Sequence, residues 1–212
     1  MNDIYGTALL YSGGLLNDIH AKTAHGLLRY SDRFRILGLI DQQYSGSMTD
    51  DHVEHCKENL VIFKDLPSAL EGLTEKPKYL VMGVAFGGGM LPEEHRSIVK
   101  DALSQGMDVV CGLHQLLSED SELAAIAEKN GAKIHDIRKP KKAEDLRFWT
   151  GEIKQIQIPK IAVLGTDCAT GKRTTCQFLV NALKDSNIKA EVIYTGQTGF
   201  LQGFKHALIL DS

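Results

Sequence analysis

Short apolar runs alternate with longer stretches of helical spacing as far as Asp136, and this alternation restricts the fold more than any other feature. The runs at 7–11, 35–40, 60–63, 79–84, 108–112 and 132–136 are brief and mostly apolar, as strands covered on both faces are. Between them, residues 16–30, 66–72, 92–105 and 121–129 carry the spacing of helices. Strands and helices in alternation make βα units, and βα units make a parallel sheet with helices packed on it. Pro92 suits a helix start, and Glu93 and Glu94 oppose the positive end of the helix dipole. Gly106 and Gly131 fall where helix ends favour a left-handed residue. Residues 1–155 therefore read as a Rossmann-like amino-terminal domain, an open and doubly wound parallel sheet.

Composition narrows the function classes. A hydrophobic share of 43% with 24% charged residues belongs to a globular chain. Twenty-four basic against 27 acidic residues give a net charge of −3, which offers no general attraction to nucleic acid or an anionic membrane. No apolar run approaches the roughly 20 residues that span a bilayer. The start, Met1-Asn2-Asp3-Ile4-Tyr5, has neither the basic segment nor the apolar run of a secretory leader. Cys56, Cys111, Cys168 and Cys176 are scattered and do not form a disulfide framework. A cytoplasmic, soluble α/β protein is expected. His52 and His55 stand three apart beside Cys56 without a second ligand cluster, so a surface helix is expected there and no metal site. Tyr11-Ser12-Gly13-Gly14 and Gly87-Gly88-Gly89 each follow a strand, but neither fits G-x-G-x-x-G. Asp41, after the second strand, then reads as a capping or turn residue. His114 stands just past a strand end, where a place in a site and a place at a helix start are both open.

A polar connector, Lys139-Pro140-Lys141-Lys142-Ala143-Glu144-Asp145, leads to a second α/β segment. Its expected elements are a strand at 160–164, a helix at 174–184, a strand at 190–194 and a short strand at 207–210. Residues 156–212 read as the start of a P-loop domain. So few elements leave sheet edges and one face uncovered, so the segment is expected either to lend its strands to the first sheet or to be truncated at its carboxyl end.

The segment's chemistry lies in Gly165-Thr166-Asp167-Cys168-Ala169-Thr170-Gly171-Lys172-Arg173-Thr174-Thr175, after the strand and opening the helix. In that context successive N–H groups curl round an anion and the helix start adds partial positive charge. Lys172 would reach the phosphates. Two positions depart from the Walker A pattern: Thr166 takes the first glycine's place, and Arg173 stands where Ser or Thr follows the lysine. Arginine there suits phosphate or carboxylate and weakens the case for Mg²⁺, so an anion site is expected and a metal is not. Thr195-Gly196-Gln197-Thr198-Gly199 follows the next strand and has the polar, glycine-bearing character of a ligand loop.

These two motifs together resemble a two-domain P-loop family, formerly of unknown function, that includes D-glutamate N-acetyltransferases. Gly38-Leu39-Ile40-Asp41, Gly87-Gly88-Gly89-Met90-Leu91-Pro92, Gly112-Leu113-His114 and Asp136-Ile137-Arg138 extend the resemblance over nearly the whole chain. It implies transfer of an acetyl group from acetyl-CoA to the amino group of D-glutamate, in a homo-oligomer without nucleic-acid or membrane partners. The resemblance implies phosphate contacts from Gly165, Thr166, Cys168, Gly171, Lys172, Arg173 and Thr174. Asp167 and Lys172 are the catalytic candidates, Asp167 as the base. Arg173, Gln197, Thr198 and Gly199 are the substrate candidates, the last three as donors to the oxyanion. Two alternatives remain open: an ATP-dependent ligase or kinase, whose loop in dethiobiotin synthetase-type enzymes is similar, and a non-catalytic nucleotide-binding or assembly module.

Overall fold

The computed structural model describes residues 4–166 and 170–209. They form two compact units, one of residues 4–138 with 193–209 and the other of residues 139–166 with 170–192.

The first unit is built on six parallel strands: β1 (Gly6–Tyr11), β2 (Phe34–Ile40), β3 (Ile62–Phe63), β4 (Tyr79–Met82), β5 (Asp108–Cys111) and β6 (Ile134–Asp136). Their order is β3-β2-β1-β4-β5-β6, the doubly wound arrangement expected from the alternating pattern. Helices α1 (Lys22–Arg29), α2 (Leu66–Gly72), α3 (Arg96–Ser104) and α4 (Ser121–Asn130) connect them. Side chains alternate along the central strand: Leu9 and Tyr11 join Val99 and Leu103 of α3 and Leu123 of α4 in one core. Ala8 and Leu10 join Ala24, Leu27 and Leu28 of α1 in the other. All four residues of β4 are buried, which is why that strand reads as unbroken apolar sequence.

Side-chain caps and glycines set the helix ends. Asp65 caps α2, accepting from Ser68 N at 2.9 Å, and Asp120 caps α4, accepting from Leu123 N at 3.0 Å. Gly106 and Gly131 take φ of +73° and +67° at the ends of α3 and α4. The proline start is shifted: Pro92 is extended and leads into a 3₁₀ turn, Glu93–His95, before α3 begins. Residues 52–55 form a turn rather than a helix, with His55 at φ +61°, so His52 and His55 share no helix face.

The carboxyl-terminal residues complete this unit. Strands β7 (Ile193–Tyr194) and β8 (His206–Ala207) pair in parallel with each other, apart from the six-stranded sheet. Between them α6 (Gln197–Gln202) has every residue buried. Phe200 and Leu201 enter the core on the α1 face. Arg33 donates from Nε to Phe200 O at 3.0 Å and from Nη1 to Ile4 O at 3.2 Å. Its guanidinium lies between the rings of Tyr5 and Phe200, 4.6 and 4.5 Å from their centroids, a desolvated cation–π arrangement.

The second unit contains the exposed connector and α5 (Lys172–Asp185). Residues 160–164 are irregular, not the expected strand. A strand exists only with a partner for its ladder groups. Among the described residues none pairs with this run, whose Ile161 and Leu164 are exposed.

Candidate functional site

Gly171 has φ +81° and immediately precedes α5, whose start meets no side-chain cap among the described residues. Thr175 donates from both N and Oγ1 to Gly171 O, at 2.9 and 3.1 Å, so the first turn is closed. The N–H groups of that turn point out of the helix start, where the dipole favours an anion. Lys172 Nζ donates to Thr170 Oγ1 at 3.1 Å. A Cβ on residue 165 would stand 2.7 Å from Thr170 Oγ1 and 3.0 Å from Lys172 Cδ. Glycine at 165 is therefore what lets the lysine stem fold back across the loop. Gly165, Thr170, Gly171 and Lys172 are brought together; Arg173 and Thr174 follow in the first turn. Asp167 and Cys168 lie outside the described residues.

The second motif belongs to the first unit. Gln197 packs so closely on Gly112 that a Cβ there would fall 1.7 Å from Gln197 Oε1. Thr198 Oγ1 lies 3.1 Å from Thr23 Oγ1, and a Cβ on Gly199 would meet the Tyr194 ring at 2.6 Å. Gln202 Nε2 donates to Gly26 O and Tyr30 O at 2.7 and 3.1 Å. These polar side chains anchor α6 on α1.

At the carboxyl ends of the strands, Asp41 organises the first glycine loop. Its Oδ2 accepts from Ser12 Oγ (2.6 Å), Gly14 N (3.1 Å) and Leu16 N (3.2 Å), and its Oδ1 from Gln43 N (3.0 Å). Beside that loop the Tyr11 hydroxyl lies 2.6 Å from His95 Nδ1. The His95 ring stacks on Phe86, with centroids 4.5 Å apart at 22°. Gly13 has φ +61°, and a Cβ there would stand 3.0 Å from His95 Cε1. Burial, then the charges of Asp41 and Glu94, push the Tyr11 phenol up to about 12. Burial holds His95 below its ordinary value against the opposing pull of Glu94, so at neutral pH its imidazole is uncharged. His114 is exposed and its ring lies against Gly89. The Cys111 thiol, pushed up to about 12 by burial, is no nucleophile. The sequence reading missed the Tyr11–His95 pair, whose members are 84 positions apart. The adjacency of β1 and β4 was the one signal able to join them. No group of three or more metal-ligating side chains occurs among the described residues, nor is any described helix long and apolar enough to cross a membrane.

Residues 42–140 match the Rossmann-like domain, and residues 147–212 the P-loop domain, of a domain-of-unknown-function family, DUF1611. The chain belongs to the DUF1611 family. A crystal structure of a DUF1611 family protein from Anabaena variabilis superposes with a TM-score of 0.83 at 29% identity, covering 95% of this chain and 56% of that one. Two curated relatives, from Pseudoalteromonas sp and Tritonibacter scottomollicae, are named D-glutamate N-acetyltransferase. They are 36% and 35% identical over 124 residues, which is 58% of this chain. The match spans 36% of the length of each of these two relatives.

Proposed function

We propose that this DUF1611 chain carries the acetyl-CoA site of an N-acetyltransferase acting on the amino group of D-glutamate. The observation that carries the reading is its identity of about a third to two proteins of that name. The loop at the start of α5 supports it. Coenzyme A presents a pyrophosphate and a further phosphate, and a helix start opened by Gly171 with the Lys172 ammonium beside it is a donor set suited to them. Gly165, Thr166, Gly171, Lys172 and Thr174 hold phosphate in this reading. Arg173 neutralises a phosphate or one of the two carboxylates of glutamate. Acetyl-CoA supplies the acyl group as an activated thioester. Asp167 takes the first proton from the substrate ammonium, the nitrogen forms its bond to the acetyl carbon and sheds a second proton, and the carbon–sulfur bond breaks with the sulfur taking up a proton to leave as the thiol. Arg173 in place of a small hydroxyl residue makes Mg²⁺-dependent ATP chemistry the poorer reading.

Purified protein incubated with acetyl-CoA and D-glutamate is expected to release free thiol and N-acetyl-D-glutamate in equal amounts. Thiol release without acetylated product, or no release with either enantiomer of glutamate, would overturn the assignment.

A further inference from the structure

The strand order reverses between β1 and β4, so connections leaving these neighbours run to opposite faces and open a crevice at their carboxyl ends. Ligands of open α/β sheets bind at such a point. Tyr11 ends β1, and His95 closes the segment that leaves β4. Tyr11 is buried and the His95 ring is half-buried, so the phenol forms the floor and the imidazole is reachable from solvent.

The hydrogen-bond inventory fixes the tautomer. Among the described residues the Tyr11 hydroxyl has one polar partner, His95 Nδ1. A phenol that keeps its proton to about 12 would bury that proton unpaired unless it donates it to Nδ1. Nδ1 is then the acceptor, and the neutral ring carries its own proton on Nε2. Among the described residues Nε2 meets no partner, so it is a donor held in place by Phe86 and Tyr11. Gly87 and Gly88, directly after the Phe86 on which His95 stacks, are exposed with open space where a Cβ would stand, and their N–H groups meet no acceptor among the described residues. Glu94, adjacent in the chain, brings a negative charge near enough to act on both rings. Donors beside a carboxylate suit a ligand that carries both charges.

We propose that this crevice binds an α-amino acid, with His95 Nε2–H and the Gly87 and Gly88 N–H groups on its carboxylate and Glu94 drawing its ammonium. Tyr11 is a positioning residue that acts through His95. The identity of the amino acid as D-glutamate rests on the function proposed above; the site itself does not.

The test is nitrogen-15 NMR of the histidine rings in the full chain titrated with D-glutamate, with His95 assigned from its absence in His95→Gln. The His95 Nε2 signal is expected to move saturably. D-glutamate affinity is expected to fall about tenfold in His95→Gln, with acetyl-CoA affinity unchanged. Tyr11→Phe, which keeps the packing, should shift the His95 tautomer signals and weaken D-glutamate less. Equal binding by wild type and His95→Gln, with His95 signals unmoved, would overturn the site while leaving acetyl transfer intact. Movement of His95 by another α-amino acid but not by D-glutamate would support the site and remove D-glutamate as its ligand. No movement with D-glutamate, L-glutamate, D-aspartate or glycine would overturn the proposal.

Discussion

The carboxylate of Asp41 is fully buried and takes four donors, two of them N–H groups of the glycine loop that follows β1. In dinucleotide-binding sheets such N–H groups face a pyrophosphate; here an internal anion already holds them. Asp41→Ala leaves these donors without an acceptor and is expected to cost roughly 3 kcal/mol, read as a lowered urea midpoint. An unchanged midpoint would show that water replaces the carboxylate. At Asp120 a hydrogen bond from Arg96 Nη2, at 2.7 Å, is the main cause that holds the carboxyl below the ordinary 3.8, followed by Leu123 N. A depressed folded pKa gives stability that is present above the unfolded value and lost as pH falls through the folded one. Asp120→Asn keeps the cap but not the charge. It should therefore be less stable than wild type at pH 7, by up to about 1 kcal/mol, and equal to it in acid below the folded pKa. A stability difference independent of pH would contradict that origin.

Among the elements, most Rossmann-like strands were legible because they are apolar runs closed by turn residues, β6 (Ile-His-Asp) being the exception. The run at 60–63 shrank to β3, Ile62–Phe63; before it Val61 makes an antiparallel bridge to Met48 and Leu60 O accepts from Thr49 N at 2.8 Å. The run at 160–164 carries the same local signal yet forms no strand, since pairing is supplied by other segments and not by the run itself. The glycine turn that opens α5 was legible from its context, whereas the Tyr11–His95 contact depends on which strands become neighbours. Helix α6 is the plainest case of long-range determination. Thr195-Gly196-Gln197-Thr198-Gly199 reads as a loop, yet Gln197–Gln202 is a buried helix whose Gln197 packs against Gly112 and whose Thr198 Oγ1 lies 3.1 Å from Thr23 Oγ1. Gly112→Ala should push Gln197 away and loosen α6, costing about 1–3 kcal/mol and speeding amide exchange in Gln197–Gln202. Exchange there as slow as in wild type would contradict the close approach.

The two units of the whole molecule differ in how they bury apolar surface. The first has a core on each face of its sheet, while in the second α5 has no buried residue and Phe148, Leu164 and Phe178 are exposed. Stability follows such burial, so residues 139–192 are expected to exchange amide protons faster and to open at lower urea than the six-stranded sheet. Equal protection of both units would contradict this. A ligand that binds the helix start stabilises the state that holds it, which joins the stability of this unit to its proposed role. Calorimetric titration of acetyl-CoA into the wild-type chain and into Lys172→Ala, with MgATP titrated separately, tests that role most directly. The account predicts saturable acetyl-CoA binding that weakens at least about tenfold when the Lys172 ammonium is removed, and weaker binding of MgATP. Equal acetyl-CoA affinity in the two proteins, or a preference for MgATP, would contradict it.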